Sequence, residues 1–361
     1  MIHWGIIGPG HIARVFCNGL RFTDKGQATA VASRDLQKAR QFAADFSIAT
    51  VHDSYQDLLA DPSVDAVYIA TIHPAHLQWV ELAATAGKHI LVEKPIGINT
   101  GEVAAMIDAA QGNDVFLMEA FMYRCHPQMQ QLASLIQQGA IGTVQMVRAS
   151  FGYHANFDPH SRAYDHDLAG GGILDVGGYT ASAARFVAGA AVGKTFLDPQ
   201  DVKACGVIGE SGVDYYTAAT LRFDNGVVGQ ISTGVACNVP SEIVVFGSEG
   251  ILTVPQPWLP STPCRTARDP LPPETEFPPS TLLLQQGGST SEITVEVDRD
   301  LFSYEADMVA DHISERQAPA MNWADSLGNM QLMDRWRAEI GLSYPQDSLH
   351  RGAGLSTPLS E

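Results

Sequence analysis

The sequence predicts an α/β chain: an N-terminal doubly wound parallel sheet, then an α+β domain carrying a large, open, mainly antiparallel sheet. Three observations carry this. Short apolar strands alternate with amphipathic helices over the first third of the chain. After about Arg124 alternating strands follow one another, and Asn225-Gly226 between two of them marks a hairpin. Finally, 361 residues, 45% of them hydrophobic and 17% charged, suffice for roughly two domains with their own cores.

In order, 2–7 reads as a strand and 12–20 as the helix after it, then 27–32 as a strand. A helix near 36–46 places Ala39, Phe42 and Ala43 on one face. A short helix at 55–60 precedes 66–70, an apolar strand of the kind buried in parallel sheets. Helix 76–86, strand 89–92, helix 100–110 and strand 115–119 complete the alternation. Beyond it, 127–138 reads as a helix, 142–153 as a long strand and 178–188 as a helix of small residues. Strands follow at 202–208, 215–223, 227–235, 242–246 and 251–254. The proline-rich stretch 255–279 reads as a surface excursion, 302–314 and 323–340 as helices. These elements divide into a first domain over 1–123, a second over 124–345, and a loose tail over 346–361.

Composition narrows the partners. With 40 acidic against 22 basic residues the formal charge is −18, a surface that repels nucleic acid and anionic membranes. Five cysteines, Cys17, Cys125, Cys205, Cys237 and Cys264, are scattered without metal-ligand spacing. They read as reduced thiols in the cytoplasm, not a disulfide framework or zinc site. No apolar run reaches the ~18 residues that span a bilayer, and the first residues lack the pattern of a secretory leader.

Gly8-Pro9-Gly10-His11-Ile12-Ala13 follows the first strand and opens a helix, giving G-x-G-x-x-A. Gly8 permits the tight turn, Gly10 lets backbone amides approach a pyrophosphate, and the helix N-terminus favours the anion. A plain strand-to-helix turn would look the same in isolation; within a βαβ pattern the dinucleotide cradle is the better reading. NAD sites place an acid about 20 residues past the glycines. Here the second strand ends Ser33-Arg34-Asp35, where Ser33 and Arg34 suit a 2′-phosphate and Asp35 suits a helix N-cap. NADP is the expected cofactor, with NAD also possible.

The strand at 89–92 runs into Glu93-Lys94-Pro95, which places Lys94 in the crevice at the carboxyl end of the sheet. Partly desolvated beside a nicotinamide, its amine exchanges protons; a solvated loop lysine fits the position equally well. In the second domain, Gly170-Gly171-Gly172 allows close backbone approach, and Asp175 and Tyr179 share a face of a helix starting there. Taken alone, that pair also fits a cap and an interface tyrosine. His154, His160, Arg162 and His166 lie in a polar loop before the glycines, without metal-site spacing; no metal is expected.

These segments, together with 118–127 (MEAFMYRCHP), occur in one order that resembles the glucose–fructose oxidoreductase/inositol dehydrogenase family, over 2 to about 340. Within it the chain is most similar to the dihydrodiol and NADP-dependent D-xylose dehydrogenase branch. The resemblance implies a Rossmann domain and hydride transfer between nicotinamide and a carbinol carbon of a sugar, cyclic polyol or dihydrodiol. It implies cofactor contacts from Gly8, Gly10, His11, Ile12, Ser33, Arg34, Thr71, His76, Glu93 and Lys94, and substrate contacts from Arg124, Asp175 and Tyr179. Lys94 and Tyr179 share the acid–base role, oriented by Asp175. Many relatives carry His in place of Tyr179, so tyrosine places the chain in this branch. A homodimer or dimer of dimers through the open sheet is implied too. Two other chemistries occur in the family, an oxidoreductive glycoside hydrolase and a non-catalytic sugar sensor; retention of Lys94, Asp175 and Tyr179 favours the dehydrogenase.

Overall fold

A computed structural model describes residues 1–262 and 269–348; Cys264 and residues 349–361 of the expected tail lie outside the described residues. The first sheet comprises β1 (Ile2–Ile7), β2 (Gly26–Ala32), β3 (Thr50–His52), β4 (Ala66–Ile69), β5 (His89–Glu93) and β6 (Leu117–Ala120). All six strands are parallel, in the order β3-β2-β1-β4-β5-β6. Strands β4 and β6 are buried throughout, as expected where helices cover both faces. Those helices are α1 (His11–Leu20), α2 (Leu36–Phe46), α3 (Tyr55–Ala60), α4 (His76–Thr85) and α5 (Thr100–Gly112). On α2 the buried residues are Ala39, Phe42 and Ala43, the face the spacing predicts. Strand order reverses between β1 and β4, so the loops after β1, β4 and β5 meet at one crevice.

Short helix α6 (Met122–Cys125) and α7 (Pro127–Gln137) lead into the second sheet. Its strands are β7 (Val144–His154), β8 (Asp201–Ile208), β9 (Asp214–Arg222), β10 (Val228–Gly234), β11 (Ala236–Gly247), β12 (Ile251–Val254), β13 (Ser280–Gln286) and β14 (Ser289–Val295). They run β14-β13-β12-β11-β7-β10-β9-β8; only the β7–β10 pair is parallel. The Asn225-Gly226 turn joins β9 to β10, with Gly226 at φ +86°. Helix α8 (Gly178–Ala190) packs on β7 and β10. The last helices return towards the first sheet: α9 (Leu301–His312) lies against α1, and α10 (Trp323–Glu339) against α5 and α8.

Four features depart from the sequence reading. Strand β3 was not expected, which makes the strand before Lys94 the fifth in the chain instead of the fourth. The β13–β14 hairpin, turning through Gly287 and Gly288, widens the second sheet by two strands. Residues Ile173–Gly177 form a π-helical stretch ahead of α8, so Asp175 and Tyr179 are not related by plain α-helical spacing. The excursion 255–279 is only partly superficial. Trp258 is 2% exposed, and Leu271 N donates to Asn18 Oδ1 on α1 at 2.8 Å. No helix among the described residues is long and apolar enough to cross a membrane. The described cysteines are all free.

Candidate active site

The cradle comes first along the chain. Gly8 has φ +87°, and a Cβ there would stand 3.0 Å from the Ala70 carbonyl oxygen at the end of β4. Gly10 is different: a Cβ would meet nothing nearer than Gly8 O at 4.0 Å. The fold itself therefore does not demand glycine at 10, whereas a ligand approaching the backbone would. No side chain caps α1 and no acid occupies its first turn, leaving its amides and positive pole to an anion. Thr71 Oγ1, after β4, is buried without a partner. Open space over Gly10, an uncapped helix and a waiting hydroxyl fit a dinucleotide pyrophosphate. His11 is exposed and Ile12 half-buried at the mouth of this turn.

At the end of β2, Ser33 is buried and its Oγ accepts from Asp35 N at 3.1 Å, while Arg34 is exposed. Asp35 N-caps α2, accepting from Gln37 N at 3.0 Å and Lys38 N at 3.3 Å. Its carboxylate is thus committed to the helix, and the residues left to meet a ribose are Ser33 and Arg34.

The crevice holds the densest polar chemistry. Lys94 Nζ donates to the main-chain oxygen of Asp175 at 2.9 Å and lies 4.0 Å from that residue's Oδ1. The Lys94 side chain is 18% exposed, enough for a ligand to reach. Burial pulls its pKa below the ordinary lysine value, against the opposing pull of Asp175 and Glu93. Asp175 accepts from Arg162 Nη1 at 2.7 Å and from the Tyr153 hydroxyl. Burial works against ionisation of Asp175, but Arg162 and Lys94 overcome it and hold the carboxyl at about 2. Glu93 sits behind, accepting from Tyr68 Oη and from Lys94 N at 3.2 Å; burial raises its pKa.

Tyr179 lies in an aromatic cage of Phe121, Tyr123, Phe151 and Trp258, with ring centres 5.1 to 5.7 Å away. Among the described residues its hydroxyl donates to Met122 Sδ at 3.5 Å, a weak acceptor. Burial raises its pKa well above the usual phenol value, so the hydroxyl keeps its proton at neutral pH and can donate a hydrogen bond.

The glycine triplet assembles these pieces. A Cβ at Gly170 would stand 2.8 Å from Arg162 O, and one at Gly172 would stand 2.9 Å from Gly234 Cα. Gly171, at φ +104°, donates its N–H to Ala163 O at 2.9 Å. Bare backbone at 170–172 therefore lets the polar loop and β10 close on the π-helical stretch that carries Asp175.

Two expected contacts are placed elsewhere. The Arg124 guanidinium is buried, pairing with Asp325 at 2.8 Å and donating to Ser182 Oγ at 2.9 Å. His76 is 1% exposed, with Nδ1 3.0 Å from Pro95 O and Nε2 3.0 Å from Thr71 O. It pins the loop after β4 to the turn after Lys94, and burial lowers its pKa to about 4. Both ring nitrogens of His76 are engaged, and the Arg124 side chain is 2% exposed. Tyr153 and Phe151 were not expected at the site, and Arg162, expected only as one polar residue of the loop before the glycines, reaches Asp175. Tyr153 and Phe151 share one face of the strand ending at His154, the one signal available beforehand.

Comparison with known proteins identifies the family. Residues 2–121 match the GFO/IDH/MocA oxidoreductase family with its NAD-binding Rossmann fold, and 129–253 match the GFO/IDH/MocA C-terminal domain. The chain is 35% identical to trans-1,2-dihydrobenzene-1,2-diol dehydrogenase of Danio rerio over 354 residues, covering 96% of this chain and 99% of the relative. It is 34% identical to the Mus musculus enzyme of that name over 350 residues, with the same coverage. Among solved structures, KijD10, a 3-ketoreductase from Actinomadura kijaniata in complex with NADP and TDP-benzene, superposes with a TM-score of 0.81. It is 26% identical, over 94% of this chain and 98% of that one. The paired sheets, the glycine cradle and full-length similarity place this chain in the GFO/IDH/MocA oxidoreductase family.

Proposed function

We propose that this chain is an NADP-dependent dehydrogenase that oxidises, reversibly, a carbinol carbon of a cyclic diol, polyol or sugar. The observation that carries the reading is the meeting of Lys94 Nζ, Asp175 and the Tyr179 ring beside the loops after β1 and β4. Gly8, Gly10 and Thr71 would hold the pyrophosphate, and Ser33 and Arg34 the 2′-phosphate. Bound there, the nicotinamide would exchange a hydride with the carbinol carbon. Lys94 takes the hydroxyl proton, made easier by the lowered pKa of its amine, and Tyr179 donates a hydrogen bond to the same oxygen. Asp175 stays ionised and orients Lys94. The names of the relatives support the diol, and the NADP in the KijD10 complex supports the cofactor. The test is a panel of trans-dihydrodiols, polyols and sugars with NADP and NAD separately, following reduced cofactor. Turnover with NAD alone, or with no alcohol, would remove the reading; aglycone release from glycosides without net reduction would favour a hydrolase.

A homodimer through the second sheet belongs to this reading. Val207 and Tyr216 are cross-strand partners on β8 and β9, 41% and 44% exposed, and form an apolar spot on that sheet. Sedimentation of the protein as a single 38.8 kDa chain at micromolar concentration would rule it out.

A further inference from the structure

Asp175 offers one oxygen, Oδ1, to two cations. Arg162 Nη1 holds it at 2.7 Å, while Lys94 Nζ stands off at 4.0 Å and donates instead to the Asp175 main-chain oxygen at 2.9 Å. Oδ2 is taken by the Tyr153 hydroxyl. We propose that Arg162 is a positioning residue: by occupying Asp175 it keeps Lys94 out of a tight ion pair and leaves its amine free to accept the substrate's proton. The inference rests on the dehydrogenase reading for its purpose, but not for its geometry.

The loop places Arg162 by contacts that do not involve its side chain. Gly171 N donates to Ala163 O at 2.9 Å, and Tyr164 Oη donates to Ala155 O at 2.9 Å. The Arg162 side chain, 49% exposed, therefore reaches Asp175 from the solvent side while Lys94 reaches it from the first sheet. A planar guanidinium is the better carboxylate partner and is always charged, so it wins the shared oxygen. Lys94 is faced by Asp175 from the π-helical stretch, Arg162 from the loop, Glu93 from its own strand, Glu119 from β6 and the Tyr179 ring from α8. Glu93 and Glu119 are acids whose own burial favours their neutral forms, with Glu119 raised to about 7. Asp175 is the largest of the anionic influences on Lys94, ahead of Glu93, and Arg162 decides how near that carboxylate comes. Removing Arg162 both releases Asp175 and deletes a repelling charge; the two changes act in one direction.

The experiment reads the amine directly. Full-length protein is acetylated with trace acetic anhydride across a pH series, and the Lys94 peptide is quantified by mass spectrometry. In Arg162→Gln and Arg162→Met the midpoint for Lys94 is expected to rise by about one pH unit or more, as for a newly formed close ion pair, and Arg162→Lys to restore most of the difference. In turnover assays the alkaline-rising limb of kcat/KM should move by the same amount. An unmoved Lys94 midpoint in both neutral variants overturns the proposal, as does an equal shift in Arg162→Lys. Because labelling needs no turnover, an inactive but normally shifting protein would count against the dehydrogenase reading alone.

Discussion

The ammonium of Lys94 stands over the ring of Tyr179, 5.0 Å from its centre, so the two groups expected to share a proton meet face to edge of one pocket. The ring carries the cation while the hydroxyl looks towards Met122 Sδ. In the proposed reaction this arrangement would divide the labour, the amine moving the proton and the phenol steadying the oxygen that loses it.

Lys94→Ala should therefore lower turnover by ~10²–10⁴-fold, the usual worth of general acid–base assistance. Tyr179→Phe keeps the cage and the cation–π contact and loses only the hydroxyl, so melting temperature and cofactor affinity should hold while kcat falls. If the groups act as one unit, the double variant is little worse than the poorer single one. Steady-state kinetics decide it: full activity in Lys94→Ala would remove the site.

The two cradle glycines should behave differently. Gly8→Ala forces a left-handed φ on a side chain and presses a Cβ to 3.0 Å from Ala70 O, so stability falls by roughly 1–2 kcal/mol along with cofactor binding. Gly10→Ala has open space and ordinary φ, −87°, so its melting temperature should match the parent. Its cofactor Kd should nonetheless rise at least tenfold, about 1.4 kcal/mol. Fluorescence titration and thermal melts check both; parental affinity in Gly10→Ala would mean that no ligand backbone or phosphate approaches that atom.

On the proposed reading cofactor choice turns on Arg34, because Asp35 is committed to α2. Arg34→Ala should weaken NADP binding by roughly 1–3 kcal/mol, the range of a charge-assisted contact, and NAD binding much less. Equal losses for both would reduce Arg34 to a platform for adenine.

How much of this was legible beforehand follows physical lines. Where a pattern is local it showed: Ala39, Phe42 and Ala43 repeat at helical spacing, and Asn225-Gly226 needs only its own backbone. Strand β3 has three residues, too few for alternation to register. In β14 residues of both faces are largely exposed, so no buried stripe marks it. Trp258 sits in a proline-rich stretch whose composition suggests surface, yet it is buried because its Nε1 reaches Ser150 O at 3.1 Å across the domain. Arg162 is drawn to Asp175 by a loop closing on Gly170, a non-local approach that no spacing encodes.

Acid sensitivity should trace to His73. It follows Thr71 in a short turn, is 4% exposed, and places Nε2 2.9 Å from the Ala169 carbonyl oxygen, joining the first sheet's loop to the residue before the glycine triplet. Burial lowers its pKa from 6.5 to about 3, so the folded protein keeps the ring neutral. As pH falls from 6.5 towards 3 the unfolded chain binds a proton that the folded one refuses, and stability drops by up to about 1.4 kcal/mol per pH unit from this group. His76, lowered to about 4, adds to the same window. In His73→Gln the amide can still donate to Ala169 O but does not titrate. Urea melts between pH 6 and pH 4.5 should then show a shallower loss of stability, with His76 supplying what remains. Because His73 braces the backbone that presents Asp175, the parent should lose activity over the same acidic range before it unfolds, and the variant should lose less. An identical pH slope in parent and variant would assign the acid lability to other groups.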